Sequence, residues 1–371
     1  DARGESVAFT CAYIGNLRDL ADTLETYKNR CHENDILLAK EMEILFSQKM
    51  DTYASSEKRN EVLSTYADQC VHNISGEQIR VDIDTLVADL REKADWYAQF
   101  IRNHEWVSDE EGRGWFNGYY DNSGRQVEGV IDGNVRMMLT GQVFSIMGNV
   151  ADDVQVKSIT ESADKYLYKK DIGGYRLNTD FKEEKFDLGR MFGFAYGEKE
   201  NGAVFSHMTV MYANALYQRG FVREGYKALY TLLGQAMDLE VSRMYPGIPE
   251  YFDAQGRGKY PYLTGAASWY MMTVVTQIYG FRGLWGDLMI EPKILLEQFD
   301  TEGNFSAEIP YRGQTFSVVY QNPGRKEYGK YQIGEIWIDG TLYKEANAKS
   351  VCIPFHEFEE QNTHTLRIVL K

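Results

Sequence analysis

Lys199-Glu200-Asn201-Gly202-Ala203-Val204-Phe205-Ser206-His207 gathers a cation, a carboxylate, an amide and an imidazole around a glycine, then runs straight into a helical pattern. Met208, Met211, Tyr212, Ala215 and Leu216 recur at helical spacing, and Phe221, Gly225, Tyr226, Leu229 and Leu233 repeat the period beyond Arg219-Gly220. The pair reads as a helical hairpin, the building unit of a mainly α fold. A second cluster, Leu263-Thr264-Gly265-Ala266-Ala267-Ser268-Trp269, also stands immediately before a helical pattern. A helix start carries unpaired N–H groups and positive dipole potential, so two such starts point to a site for an oxyanion and a sugar.

Outward from these clusters, the helical signal extends from about Glu5 to Gly280, with Ile14, Leu17, Leu20, Ala21 and Leu24 on one early face. The Glu-, Asp- and Lys-rich stretch before His104 reads as solvated outer helices. Aromatics and a turn-forming Asn-Ser-Gly interrupt the pattern over residues 111–125, as a loop or hairpin does; its rings either cover the end of a helical core or stack on sugar. Beyond Pro292, Phe305, Ala307 and Ile309, and later Leu366, Ile368 and Leu370, alternate at period two between glycine-bearing turns. We therefore expect a helical domain over residues 1–289 and a small β-sandwich domain over residues 290–371.

Composition narrows the function. A net charge of −15 leaves no basic face for nucleic acid, so a bound phosphate needs a local cradle of a few donors. Apolar runs fall short of the roughly 20 residues of a membrane helix, and no export signal opens the chain. Cys11, Cys31, Cys70 and Cys352 show neither a CxxC pair nor metal-ligand spacing; buried free thiols and a cytoplasmic location are expected.

Among six histidines only His207 stands with other reactive groups, and no second histidine lies at metal spacing from it, which argues against a metal site. Ser206 lacks a Gly-x-Ser-x-Gly elbow, and Gly173-Gly174 and Gly256-Arg257-Gly258 form no dinucleotide fingerprint. Glu200 has two readings: a charge pair with Lys199 or Arg190, or a fixed acceptor for a sugar hydroxyl.

Lys199 to His207, Tyr262 to Trp269, the run Gly280-Phe281-Arg282-Gly283-Leu284-Trp285-Gly286-Asp287-Leu288-Met289-Ile290-Glu291-Pro292, and Gly4-Glu5-Ser6-Val7 together resemble the cellobiose phosphorylases of glycoside hydrolase family 94. The resemblance implies an (α/α)6 barrel closed by a C-terminal β domain. It implies inverting phosphorolysis of β-linked gluco-oligosaccharides to α-glucose 1-phosphate, with inorganic phosphate as co-substrate and no cofactor. It places phosphate on His207, Thr264 and Gly265, and sugar on Lys199 and Glu200.

Two departures stand out. The family's catalytic Asp lies in a Trp-Asn-Asp type motif shortly before Gly-Glu-Ser, whereas this chain opens at Asp1; the general acid is expected just ahead of it, in a longer chain or a partner that completes the barrel. Pro246-Gly247-Ile248-Pro249-Glu250-Tyr251-Phe252 replaces a glutamine-bearing segment and is closer to members acting on β-1,2-glucans, so both β-1,2 and β-1,4 linkages stay open. A homodimer fits the family. The rival readings are a glucan-processing module of a cyclic β-glucan synthase, a non-catalytic carbohydrate-binding α-barrel and a plain hydrolase.

Overall fold

The computed structural model describes residues 5–46, 48–70, 72–244, 247–262, 264–358 and 361–371. Asp1, Gly4, Pro246 and Leu263, named above, lie outside the described residues. Helices α1 (Val7–Cys31), α2 (Met50–Ala54), α3 (Ser56–Cys70), α4 (Ile83–His104), α5 (Leu139–Met147), α6 (Asp153–Tyr166), α7 (Ser206–Gln218), α8 (Val222–Met237), α9 (Leu239–Ser242) and α10 (Gly265–Thr273) precede the C-terminal sheets. α1 packs on α4 and α5, α5 on α7, and α7 on α8 and α10. The expected hairpin around Arg219-Gly220 is the α7–α8 pair, with Gly220 supplying the left-handed φ of 79° that closes the turn.

Local chemistry sets the helix ends. The Ser6 hydroxyl accepts from the Phe9 N–H at 3.2 Å to open α1, and Asp152 and Gln155 form a reciprocal capping box that opens α6. At the far end of α5, Arg18 donates to the Gly148 and Asn149 carbonyls at 3.1 and 3.0 Å, satisfying acceptors the helix leaves free. That end of α5 touches α1 backbone to backbone. A Cβ on Gly15 would stand 2.9 Å from the Gly148 Cα, and one on Gly148 would stand 2.1 Å from the Cys11 carbonyl oxygen.

The helical region departs from its sequence reading in two ways. Strands Asp35–Ala39 and Gln78–Asp82 pair antiparallel inside the stretch expected to be outer helices. Within that same stretch α3 does stay solvated, burying none of its residues, whereas α4 buries Ile83, Leu86, Val87, Leu90, Ala94, Ala98 and Ile101 along one stripe. The glycine- and aromatic-rich segment is a hairpin, Trp106–Ser108 with Gly114–Phe116, and Trp115 and Phe116 are core residues, so these two rings are unavailable to a sugar. Only Cys11 among the cysteines is buried, and burial pushes its thiol up to about 12; Cys31 is exposed, and Cys70 and Cys352 are half-buried, which corrects the expectation of buried thiols throughout.

Beyond α10 the chain turns to β structure. Phe281–Leu284, Asp287–Ile290 and Val351–Ile353 make a three-stranded sheet. Five longer strands follow in the spatial order Asn304–Tyr311, Gln314–Gln321, Thr363–Leu370, Ile333–Ile338, Thr341–Ala348. Gln314–Gln321 and Thr363–Leu370 run parallel, and the other neighbours are antiparallel. The inward faces carry Phe316, Val318, Tyr320, Ile336, Leu366, Ile368 and Leu370, and Phe281 of the smaller sheet meets Phe316 of the larger at 5.5 Å between ring centroids.

The α1–α5 contact yields a stability test. Gly148 has an ordinary φ of −76°, so Gly148→Ala is opposed by sterics alone, against backbone that cannot rotate away. We expect it to cost about 1–3 kcal/mol in urea denaturation, the usual range for overpacking. A midpoint equal to that of the parent would show that the two helices separate freely.

Candidate functional site

A ribbon of three two-residue strands ties the two glycine clusters together. Val204 and Phe205 pair with Phe252 and Tyr251, which pair in turn with Gly258 and Lys259. The Ser206 N–H, first in α7, donates to the Glu250 carbonyl at 2.9 Å, fixing the helix start against the same segment. Past the ribbon the chain reaches Thr264, the N-cap of α10, whose hydroxyl accepts from the Ala266 N–H at 3.3 Å. Gly265 then lies flat on the His207 imidazole, where a Cβ would meet Cε1 at 3.1 Å and Nδ1 at 3.3 Å. Trp269, one turn further along α10, closes over the same ring at 5.9 Å between centroids.

His207, Thr264 and Gly265 are thus brought together, and the starts of α7 and α10 converge on one imidazole. Their dipoles add positive potential there. The Nε2 of His207 is buried and finds no hydrogen-bond partner among the described residues. Burial also lowers the imidazole pKa, which keeps the ring neutral and able to donate one hydrogen bond.

Lys199 and Glu200 point to different surroundings. Lys199 occupies a left-handed φ of 43° in the turn that the Asn201 N–H closes on the Glu198 carbonyl at 3.0 Å. Its ammonium sits over the Tyr260 ring at 4.2 Å, a cation–π contact. Glu200 Oε1 pairs with Arg190 at 2.9 Å, while its Oε2 is buried without a partner among the described residues. The Arg190 partnership is the one observed. Asn201 is a brace: it donates to the Phe194 carbonyl at 2.8 Å and accepts from Asn178, whose own side-chain oxygen holds the Gly202 N–H at 2.7 Å.

Glu200 and Arg190 line a cavity of about 260 Å³ together with Tyr119, Met138, Thr140 and Met191. Tyr119 is paired through its backbone with Ser6, so the strand that enters α1 runs along this wall. The cavity and the His207–Gly265 contact stand at the two ends of the Glu200–His207 segment. Met138 and Thr140 carry no motif in their own neighbourhoods, and only the fold delivers them to the wall; Tyr119 belongs to the aromatic segment 111–125, and unlike the core rings Trp115 and Phe116 it faces this cavity.

Behind the wall lies a buried carboxyl. Glu128 accepts from the Gly118 N–H at 2.8 Å and from the Met138 N–H at 2.6 Å, clipping together the backbone on either side of Tyr119 and Met138. Burial outweighs these two donors and pushes the carboxyl up to about 8. Elsewhere, no group of three or more His, Cys, Asp and Glu among the described residues stands ready to hold a metal ion, and no helix among them is long and apolar enough to cross a membrane.

The family model "Glycosyl hydrolase 94 superfamily, catalytic domain" matches residues 79–280. A cellobionic acid phosphorylase of Neurospora crassa is 24% identical over 207 residues, 52% of this chain and 25% of that protein. A solabiose phosphorylase of Paenibacillus borealis is 22% identical over 69% of this chain and 33% of its own length. An N,N'-diacetylchitobiose phosphorylase of Vibrio proteolyticus is 26% identical over 61% of this chain and 28% of its own length. The chain thus spans a quarter to a third of the curated relatives it matches.

Glu128 makes stability depend on pH in a defined direction. Its carboxyl titrates at the ordinary 4.5 when unfolded and near 8 when folded, so across that interval unfolding releases a proton and stability falls as pH rises. Glu128→Gln removes the titration. Denaturation from pH 5 to pH 8 is expected to show the parent losing stability relative to the variant, levelling off above 8; parallel curves would mean that the carboxyl is ionised throughout.

Proposed function

The chain belongs to the glycosyl hydrolase 94 superfamily, and on that premise we propose that it carries the phosphate cradle and part of the sugar site of an inverting glycoside phosphorylase acting on β-linked gluco-oligosaccharides. The observation that carries the reading is the seating of Gly265 on His207 where two helices begin, with the imidazole Nε2 free of protein partners among the described residues.

In this reading inorganic phosphate lies against His207, the Thr264 hydroxyl and the Gly265 N–H. A phosphate oxygen attacks the anomeric carbon from the face opposite the glycosidic bond. The C–O bond to the departing sugar breaks, its oxygen takes a proton from a general acid in the segment ahead of Asp1, and α-glucose 1-phosphate is released. Phosphate is already anionic, so no second carboxylate is needed to activate the nucleophile. The cradle acts by positioning the anion and by matching the charge of the transition state, and needs no further cofactor. Glu200 accepts a hydroxyl of the bound glucosyl unit through its free Oε2, with Arg190 holding the carboxylate in place; Lys199, whose ammonium stands over the Tyr260 ring outside that cavity, is a sugar contact on the family resemblance alone. The acceptor linkage is β-1,2 or β-1,4.

The helical part is, on the same reading, a portion of an (α/α)6 barrel capped by a β-sandwich from residue 290. Two observations support it. Long helices pack on their neighbours in succession, and α10, apolar along its length, buries only Ala266 and Thr273 and leaves Met271 62% exposed. A helix apolar on all sides belongs between neighbours, and further barrel helices would supply them. A cytoplasmic location, a homodimer and a second chain completing the barrel belong to this proposal too.

His207→Ala is expected to weaken phosphate binding by about 1.5–3 kcal/mol, the worth of a hydrogen bond to a charged group. Thr264→Val should raise the phosphate KM more mildly. Both are measured in protein that includes the general acid, with turnover followed against phosphate concentration. Unaltered phosphate dependence in His207→Ala would remove the cradle, and turnover without phosphate would make the protein a hydrolase.

A further inference from the structure

A second cavity, of about 270 Å³, lies beneath the α7–α8 turn, where the helical part meets the C-terminal sheets. Gly220, Glu291, Lys293, Tyr328, Gln332 and Lys349 are in its wall. Lys293 is only 7% exposed. Its ammonium donates to Gln277 Oε1 at 3.0 Å and stands 3.8 Å from Glu291 Oε1, beyond hydrogen-bond reach; the other oxygen of Glu291 is taken by Arg282 at 2.9 Å. An ammonium has three donors, and among the described residues one of them is used in a hydrogen bond.

Across the same cavity, Gln332 Oε1 is buried and has no partner among the described residues. A buried ammonium with spare donors and a buried acceptor with none are each costly, and native proteins as a rule supply a partner for such atoms. Lys349 adds a second cation, whereas Glu291, the one carboxylate of the wall, is already neutralised by Arg282. The wall therefore asks for an anion that also brings a hydrogen-bond donor. A volume at the lower edge of ligand pockets, roughly 300–1,000 Å³, limits the occupant to one small molecule.

We propose that this cavity is a second binding site, for a small hydroxylated oxyanion of monosaccharide size: a sugar acid or a sugar phosphate. The oxyanion pairs with Lys293 and Lys349, and a neighbouring hydroxyl donates to Gln332 Oε1. Nothing in this site is shared with the His207 cradle, so it stands or falls independently of the phosphorylase reading.

The test is calorimetric titration of the whole chain with gluconate and with glucose 6-phosphate, with glucose as the neutral control. Binding of either anion, together with a perturbed Gln332 side-chain amide signal in the NMR spectrum, is the expected result; which anion binds identifies the head group. Lys293→Met should lower the affinity more than tenfold and Lys349→Ala several-fold. Because loss of a buried lysine can compromise folding, Lys349→Ala and Gln332→Leu carry the decision. If neither anion binds, if glucose binds as well as they do, or if both of those variants bind like the parent, the site does not exist.

Discussion

The ribbon of paired residues Val204–Phe205, Tyr251–Phe252 and Gly258–Lys259 is the constraint on which the rest of the site depends. Its strands are two residues long and contribute little core, but they fix the distance between two chain segments that carry the reactive side chains. Without this register α7 and α10 would still be helices. They would not begin at the same imidazole. The Ser206 N–H to Glu250 bond holds the start of α7 on the ribbon, Thr264 caps α10, and Gly265 rests on the His207 ring, so dipole, backbone donors and imidazole share one location.

Glycine at 265 shows how tightly this arrangement is drawn. Its Cβ-free surface is what lets the α10 backbone lie on the His207 ring, and 3.1 Å is closer than side chains ordinarily pack. Gly202 serves the opposite end of the loop, where a left-handed φ of 75° and the nearby Tyr196 ring exclude any side chain. Between them Asn201, prominent in the sequence for its chemistry, spends its hydrogen bonds on the Phe194 carbonyl and Asn178. Its neighbours Glu200 and His207 each keep one buried polar atom unspent.

The sequence disclosed the parts whose signal is local. Helical periodicity locates the α7–α8 hairpin, alternation locates the strands near Phe305 and Leu366, and a glycine close to a helix start marks the two segments that meet at the His207 ring. What it hid depends on distance. Ile79 and Val81 alternate over too short a span to outweigh the charged helices around them, so the Asp35–Ala39 hairpin went unread. The buried stripe of α4 was masked by its polar face. Tyr119, Met138 and Glu128 acquire their roles only when the hairpin before Asp121 folds back on the entrance to α5, a contact that no spacing along the chain encodes.

In the five-stranded sheet, Thr363–Leu370 comes last in the chain and sits in the middle. Until it arrives, the other strands are two separate hairpins, each presenting a row of unpaired backbone groups that will end up inside the sheet. On a ribosome this is a waiting period: the hairpins are made, their sticky edges are exposed, and the strand that separates and seals them has yet to emerge. Its parallel pairing with Gln314–Gln321 cannot be reached by a tight turn, so closure requires the intervening chain to be threaded into place first. The sheet is therefore open to mispairing along two edges until its central strand is made.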